Sequence, residues 1–517
     1  MIVAWKKWCG KLQFLITFME PLAVDGGVVV WIALDRNSEI SLERQIYQEI
    51  RRMILGGRLA EGEKLPSTRS LSAELAVSRN TVIGAYSQLI AEGYLQSLHG
   101  SGTMVTEGLC YEELAEEISR HAVGRQKNVA VCSPSLLVQQ QSTGCGDSNQ
   151  AEKIIDFCTG IPALEYFPGR EWGRLYREVC DTISAAAYGY GETFGVCELR
   201  KSIAEYMYRL RGIDCPFERI MITTGATQGL SLIARALGCS GKKVLLEDPT
   251  HSGLREVICM AGCQIEGIPV DGQGLCTGRL PDSEDVAFIY VTPSHQYPLG
   301  SVMSIARRLE LIRYAEQHDC YIVEDDYDGE FRYEGQPVSS LYELKPERVI
   351  YLGSFSKILA PALRLGFMML PGQLLDRCAR IKMYSDVNTD VLGQYVLNLF
   401  IQRGGFVRHI WKMKKLYSRK RKLLLRELEA SFPDGFSVLG HATGLHVVIK
   451  FHKLCFDKST ERDLLARGIG IHRLEQYYMF QARTGKQEII MGYAHLNDED
   501  IIKGIRVLKD YFMPDSR

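Results

Sequence analysis

The sequence predicts a multidomain chain. A small helix, turn, helix and β-wing unit comes first. An α/β body with a mainly parallel sheet follows and ends in a smaller α+β unit. Three observations carry this. Residues 38–106 place apolar residues at helical spacing, then two short strand-like runs around glycines. Residues 107–153 change to linker composition. From 154 onward, short β-like runs alternate with helical segments. The length of 517 residues agrees, being more than one ordinary domain holds.

Residues 1–37 read as a poorly structured extension. Lys6, Lys7 and Lys11 precede a short apolar run, Leu12 to Met19, that loosely imitates a secretory signal without a small-residue cleavage site. Met19 is an alternative start. In the first unit, Leu42, Ile46, Ile50, Met53 and Ile54 mark a helix that Gly56-Gly57 stops. Pro66-Ser67 precedes a short helix from Thr68 to Leu75. After the turn Ala76-Val77-Ser78, a third helix runs from Arg79 to about Glu92, with Ser78 as its N-cap. Gly93-Tyr94-Leu95-Gln96 and Gly102-Thr103-Met104-Val105 are the expected wing strands, around His99-Gly100-Ser101-Gly102.

The linker holds a charged helical piece, Tyr111 to His121, and then a Ser-, Gln- and Gly-rich stretch, Ser133 to Lys153. As a flexible coil it spans about 35–40 Å. In the larger body unit, 154–389, the runs Ile220 to Thr223, Lys243 to Leu246, Val286 to Tyr290, Tyr321 to Glu324 and Arg348 to Leu352 read as strands. The smaller unit, 390–517, carries a long basic helix at 406–430 and a strand from Gly444 to Phe451.

Composition is globular, with 46% hydrophobic and 24% charged residues. The net charge of −1 excludes a polycation, so any nucleic-acid binding needs a local basic surface. The 15 cysteines are scattered with no CxxC pair, which suits reduced thiols and a cytoplasmic protein. No apolar run reaches the ~20 residues of a membrane span.

A helix-turn-helix presents the start of its second helix to the major groove. Here that start is Arg79, Asn80 and Thr81. Arginine can contact guanine in bidentate fashion, and asparagine can contact adenine. Lys64 and Arg69, with the hydroxyls of Thr68 and Ser78, can hold phosphates. His99 and Gly100, at the wing tip, can approach the minor groove. The expected partner is double-stranded operator DNA.

Further along, Lys357 follows a strand-like run, with Ser354 and Ser356 before it and Arg364 after it. This offers an amine for the aldehyde of pyridoxal 5'-phosphate (PLP), plus hydroxyls and a guanidinium for the phosphate. Glu324-Asp325-Asp326-Tyr327 ends another strand. A carboxylate there, Asp325 or its rival Asp326, can pair with the pyridinium nitrogen. Tyr327 can reach the phenolic oxygen of the ring. A metal site would want more His or carboxylates nearby in sequence. Thr224-Gly225-Ala226-Thr227-Gln228-Gly229 follows a strand and opens a helix, so Ala226 and Thr227 can bind the phosphate. His251, after the next strand, can stack on the ring.

Gly62 to Leu71, Leu75 to Val82 and the Glu92-to-Thr103 ending closely resemble the winged helix-turn-helix of GntR-type bacterial regulators. The body segments, in their order, resemble a fold-type I PLP-dependent aminotransferase over about 154–515. Val291 to Gly300 and Glu324 to Tyr333 narrow this to the MocR family, in which a GntR-type head is fused to an aminotransferase-like body. The resemblance implies a fold-type I homodimer, a Schiff base between PLP and Lys357, and transcriptional control. It places Tyr297, an aromatic residue, where aminotransferases often have asparagine. It also exposes departures. Ile490 stands where aminotransferases carry an arginine for the substrate carboxylate; Arg473 or Arg483 is a possible substitute. His251 and Gly253 replace the aromatic residue and arginine expected of members sensing γ-aminobutyrate. These departures argue against efficient transamination. The expected protein is a regulator sensing PLP or a small amine effector through Lys357. The alternatives are an aminotransferase with an accessory head and a scaffold with a degenerate cofactor cavity.

Overall fold

The computed structural model describes residues 32, 34–36, 38, 40–98, 102–107, 154–333, 339–440, 443–479 and 486–513. The expectations for the extension, for the helical piece Tyr111 to His121, for His99 and Gly100 and for Arg483 therefore lie wholly or almost wholly outside the described residues. The chain divides into two compact units.

The first unit holds helices α1 (Leu42–Leu55), α2 (Thr68–Glu74) and α3 (Arg79–Glu92) and strands β1 (Leu95–Leu98) and β2 (Gly102–Val105). Serines cap all three helices, because their hydroxyls accept from amides that lack a partner within the helix. Ser41 accepts from Arg44 N, Ser67 from Ser70 N, and Ser78 from Thr81 N at 3.1 Å. Ile46, Tyr47 and Ile50 of α1 and Val82, Ala85 and Leu89 of α3 form a sealed core. The wing is antiparallel, with Leu95 opposite Val105. Its first strand starts two residues later than the Gly93 start expected, because Gly93 is the left-handed C-cap of α3. Residues 63–65 add a third backbone rung: Leu65 N donates to Thr103 O at 2.9 Å and Val105 N to Glu63 O at 2.9 Å.

The second unit begins with β3 (Ile155–Asp156), α4 (Gly169–Thr182) and α5 (Cys197–Tyr206). There follow β4 (Ile220–Thr223), α6 (Ala226–Ala236), β5 (Lys243–Asp248), α7 (Ser252–Met260), β6 (Gln264–Asp271) and β7 (Gly274–Leu275). Then come β8 (Val286–Val291), α8 (Ile305–Gln317), β9 (Tyr321–Asp326), α9 (Leu341–Leu344), β10 (Val349–Ser354) and β11 (Gly366–Met369). One eight-stranded sheet has the order β4-β11-β10-β9-β8-β5-β6-β7. The run from β10 through β9, β8 and β5 to β6 is parallel, and β11 is antiparallel to both neighbours. Strands buried on both faces read as continuous apolar runs rather than alternating ones. Val286–Val291 is buried throughout. Ile289, Ile322, Val349 and Tyr351 enter one core, and Phe288, Tyr290, Val323 and Ile350 enter the other.

Helices α10 (Leu375–Met383), α11 (Val391–Gln402) and α12 (Gly405–Ser431) lead to the smaller part. The basic helix expected at 406–430 is α12, one residue longer at each end. It buries Phe406, Ile410, Met413, Tyr417, Leu424 and Leu428, a helical stripe, and leaves most of its cations outside. Strands β12 (Phe436–Leu439) and β13 (His446–Phe451) precede α13 (Lys458–Ala466), β14 (Ile469–Gly470), β15 (His472–Arg473), β16 (Glu488–Gly492) and α14 (Asp498–Phe512). A four-stranded antiparallel sheet runs β12-β13-β16-β15. No helix among the described residues is long and apolar enough to cross a membrane.

Replacing Ser78 with alanine removes the α3 cap. The expected cost is about 1 kcal/mol, seen as faster amide hydrogen exchange in the first turn of α3. Unchanged exchange there would show that the cap contributes nothing.

Candidate functional site

The strands of the large sheet end at one edge, where α/β proteins place their ligands. A cavity of about 290 Å³ opens there. Its wall brings together all ten body residues expected from the sequence: Lys357, Asp325, Tyr327, His251, Ala226, Thr227, Ser354, Ser356, Arg364 and Tyr297.

Strand alternation separates the two aspartates. Asp326 faces the core side of Tyr351, accepts from its hydroxyl at 2.8 Å and pairs with buried Arg211. Asp325 faces the cavity with Tyr290, whose hydroxyl donates to Asp325 Oδ2. Asp325 Oδ1 is buried with no hydrogen-bond partner. Burial pushes the Asp325 carboxyl up to about 6, opposed by the Tyr290 hydrogen bond and the Lys357 charge. The rival assignment to Asp326 thus fails, because that carboxylate is already engaged elsewhere.

Lys357 Nζ donates to Gly160 O at 2.5 Å. Gly160 has φ +78, and a Cβ there would lie 2.8 Å from the amine. Burial lowers the Lys357 pKa, which favours the neutral, nucleophilic amine. Gly225 caps α6 at φ 110 with no side-chain hydrogen bond, so the first amides of the helix face outward uncapped. A Cβ on Gly225 would meet Arg364 Nη2 at 3.0 Å. Arg364 itself holds a left-handed backbone, φ 47, rare for a non-glycine residue. Guanidinium, helix amides and the Ser354 and Ser356 hydroxyls form an anion cradle.

His251 has two roles. It lines the cavity, and its Nδ1 accepts from Gly253 N at 3.0 Å, capping α7. Its ring is open towards solvent yet crowded by protein. That crowding, then the Lys357 and Arg255 charges, push it down to about 4. Tyr297 shares a 2.7 Å hydrogen bond with Thr159 and packs 5.5 Å from the His251 ring. Tyr327 lies 2.9 Å from His295 Nδ1.

Several lining groups were not read from the sequence. Thr159 and Gly160 come from far upstream of Lys357, and His446 comes from the small sheet. Tyr290 carried a signal: it lies opposite Val323 on the neighbouring strand, two residues from Asp325 and so on the same face. Buried Glu247, at the end of β5, accepts from Thr292 and is pushed up to about 7 by burial. The suggestion that Arg473 replaces the missing arginine is corrected. Arg473 is buried and bound to Glu461 at 2.8 Å and Glu475 at 2.7 Å. Ile490 is buried in β16.

In the first unit, Arg79 and Asn80 are exposed at the start of α3, and Arg79 Nε donates to Thr68 Oγ1 at 3.4 Å. Thr81 bonds the Ser78 hydroxyl at 2.8 Å. Arg69 is exposed on α2, and Lys64 is exposed beside Gly102 of the wing. A separate open groove along α12, lined by Trp411, Lys414, Lys415 and Lys422, is larger than the sheet-edge cavity but gathers no acid–base constellation. Among the described residues, no group of three or more His, Cys, Asp or Glu can hold a metal.

Residues 152–507 match the aminotransferase class I and II family, and residues 42–105 match the gntR family of bacterial regulatory proteins. The chain is 33% identical to the "Probable rhizopine catabolism regulatory protein MocR" of Rhizobium meliloti, over 93% of this chain and 96% of that one. It is 30% identical to the HTH-type pyridoxine biosynthesis transcriptional regulator PdxR of Corynebacterium glutamicum, over 92% of this chain and 96% of that one. The solved kynurenine aminotransferase of Pyrococcus horikoshii, in complex with PMP, is similar with a TM-score of 0.63 and 28% identity. The match covers 71% of this chain and 92% of that one.

Two buried carboxyls titrate above their ordinary values, Asp325 at about 6 against 3.8 and Glu247 at about 7 against 4.5. Between pH 4 and 7 these two groups therefore hold more protons in the folded state than in the unfolded one. Their contribution to stability falls as pH rises through this window. In cofactor-free protein, Asp325→Asn is expected to flatten the decline between pH 4 and 6, measured by urea unfolding at several pH values. A variant with the parent's slope would show that Asp325 is not a strained carboxylate.

Proposed function

The chain belongs to the MocR family of regulators, a GntR-type head followed by an aminotransferase class I and II body, and from that premise we propose that it senses PLP, a small amine effector or both through Lys357 and transmits this to operator DNA. The observation that carries this is the sheet-edge cavity. An amine, a carboxylate oxygen with no partner and an arginine beside uncapped helix amides meet there, on a chain whose head leaves Arg79 and Asn80 exposed.

These residues fit PLP. When bound, the cofactor supplies an aldehyde that joins amines and a ring that withdraws electrons. Lys357 is the amine available to the aldehyde. Asp325, whose Oδ1 has no partner, would receive a ring N–H, and a carboxylate there would keep that nitrogen protonated. Arg364, Ser354, Ser356, Ala226 and Thr227 hold the phosphate. Tyr327 serves the phenolic oxygen, and His251 with Tyr297 bounds the ring. On the head, Arg79 and Asn80 read bases, Thr81 supports them, and Lys64, Thr68, Arg69 and Ser78 take phosphates. Following the family resemblance, the protein works in the cytoplasm as a homodimer on a two-fold operator.

The retained Lys357 and Asp325 favour a second reading, an aminotransferase with an accessory head. Against it, Arg364 is the one guanidinium among the described residues that line the cavity, and the phosphate cradle uses it. Arg473 is held by two glutamates.

Purified protein with PLP is expected to absorb visible light, and Lys357→Ala to lose that band. A variant with the parent's spectrum would remove Lys357 from the site. Arg79→Ala is expected to weaken specific DNA binding by about 1–3 kcal/mol, roughly 5- to 150-fold, with PLP uptake unchanged. Operator affinity equal to the parent's, in a binding titration, would overturn the placement of α3 in the groove.

A further inference from the structure

His295 stands just behind the cavity wall. Its Nδ1 lies 3.0 and 2.9 Å from Asp328 Oδ1 and Oδ2, and 2.9 Å from the Tyr327 hydroxyl. The histidine side chain is 3% exposed and the aspartate 1%. A neutral imidazole carries one hydrogen, so Nδ1 either donates to Asp328 or accepts from Tyr327. Magnitudes decide between the two. A buried carboxylate left without a donor costs several kcal/mol, whereas a phenol hydrogen can turn to another acceptor at little cost. Nδ1–H therefore donates to Asp328. A doubly protonated ring gives the same assignment.

The consequence falls on Tyr327. His295 is its hydrogen-bonding partner among the described residues, and that nitrogen now offers a hydrogen rather than a lone pair. The phenol hydrogen must point elsewhere, and the open side of Tyr327 is the cavity it lines. Glycine backbone and a second ring pack closely against the histidine. A Cβ on Gly444 would lie 2.3 Å from His295 Cε1, and one on Gly300 would lie 3.2 Å from Nε2. The His446 ring packs 5.3 Å away, and its Nε2 is bonded to Pro298 O at 2.9 Å. This is the arrangement by which a surrounding residue fixes the direction of a ligand-binding group.

We infer that His295 is a positioning residue: Asp328 sets its tautomer, and that tautomer turns the Tyr327 hydroxyl hydrogen into the cavity to donate to the phenolic oxygen of bound PLP. This rests on the cofactor reading above.

The test uses the full chain. It measures PLP affinity by titration, the pH midpoint of the visible band of the loaded protein, and thermal unfolding. His295→Leu is expected to weaken PLP binding about 10-fold, the worth of one lost hydrogen bond. It should also move the pH midpoint in the same direction as Tyr327→Phe. His295→Asn, whose amide N–H stands near the place of Nδ1–H, should retain both parental values. The double variant His295→Leu with Tyr327→Phe should be no worse than Tyr327→Phe alone. A folded His295→Leu protein with parental affinity and midpoint would overturn the inference, as would a loss that adds in full to that of Tyr327→Phe. If His295→Leu does not fold, Asp328→Asn should reproduce the Tyr327→Phe shift, and an unmoved midpoint overturns the proposal. Wild-type protein that takes up no PLP overturns the cofactor reading and this one together. Uptake with an indifferent His295→Leu overturns this one alone.

Discussion

The two-residue repeat of one strand decides what the body can do. Asp325 and Asp326 are adjacent, both acidic and both buried, and in sequence they are interchangeable. On β9 they point to opposite faces. Asp326 is consumed by Arg211 and Tyr351, which tie the sheet to the segment after α5. Asp325 shares its face with Tyr290 and keeps one oxygen without a partner. Moving this strand by one residue would turn every one of its side chains to the other face. A slip one way would turn Asp326 to the cavity and Tyr327 to Arg211, leaving that buried guanidinium without its ion partner. The parallel neighbours β8 and β10 fix that register on both sides.

What was legible in the sequence follows from this geometry. Groups that sit at strand ends or helix starts are local, and the sequence exposes them. Ala226 and Thr227 open α6, Asp325 lies at the end of β9 with Tyr327 just past it, and Ser354 ends β10 with Ser356 and Lys357 just past it. The Ser78 cap of the head was equally visible, since a cap needs only its own next three residues. Groups brought in by long-range packing were not visible. Gly160 reaches Lys357 across 197 positions of sequence, and His295 meets Asp328 across 33. Arg473 shows the opposite failure. As an arginine near the end of the chain it was a reasonable carboxylate binder, but Glu461 and Glu475 claim it first. Only a folded structure shows that a charge is already spent on an internal partner.

His251 shows why residue type alone leaves a role open. A lone histidine after a strand suits a ring stack, and it also suits a helix cap. Here it caps α7, accepting from Gly253 N, and it also lines the cavity beside Tyr297. Its pKa of about 4 keeps the imidazole neutral at ordinary pH, so it presents a flat, uncharged face rather than a second cation. The wall therefore keeps Arg364 as its guanidinium for a phosphate and Lys357 as its amine for an aldehyde.

These features make ligand occupancy an energetic quantity rather than a passive one. A carboxyl such as Asp325, raised by burial and partly unsatisfied, costs the body stability while it stands alone. A ligand N–H or cation opposite Asp325 Oδ1 removes part of that cost. Binding to the folded state alone stabilises it by RT ln(1 + [L]/Kd), about 2.7 kcal/mol at a hundredfold excess over Kd. A ligand can bias a regulator only through unequal affinity for its states. Under the proposed function, relief of the Asp325 carboxyl by a bound ligand would supply part of that inequality at the cavity itself. The chemistry of a PLP enzyme site can thus serve sensing without turnover.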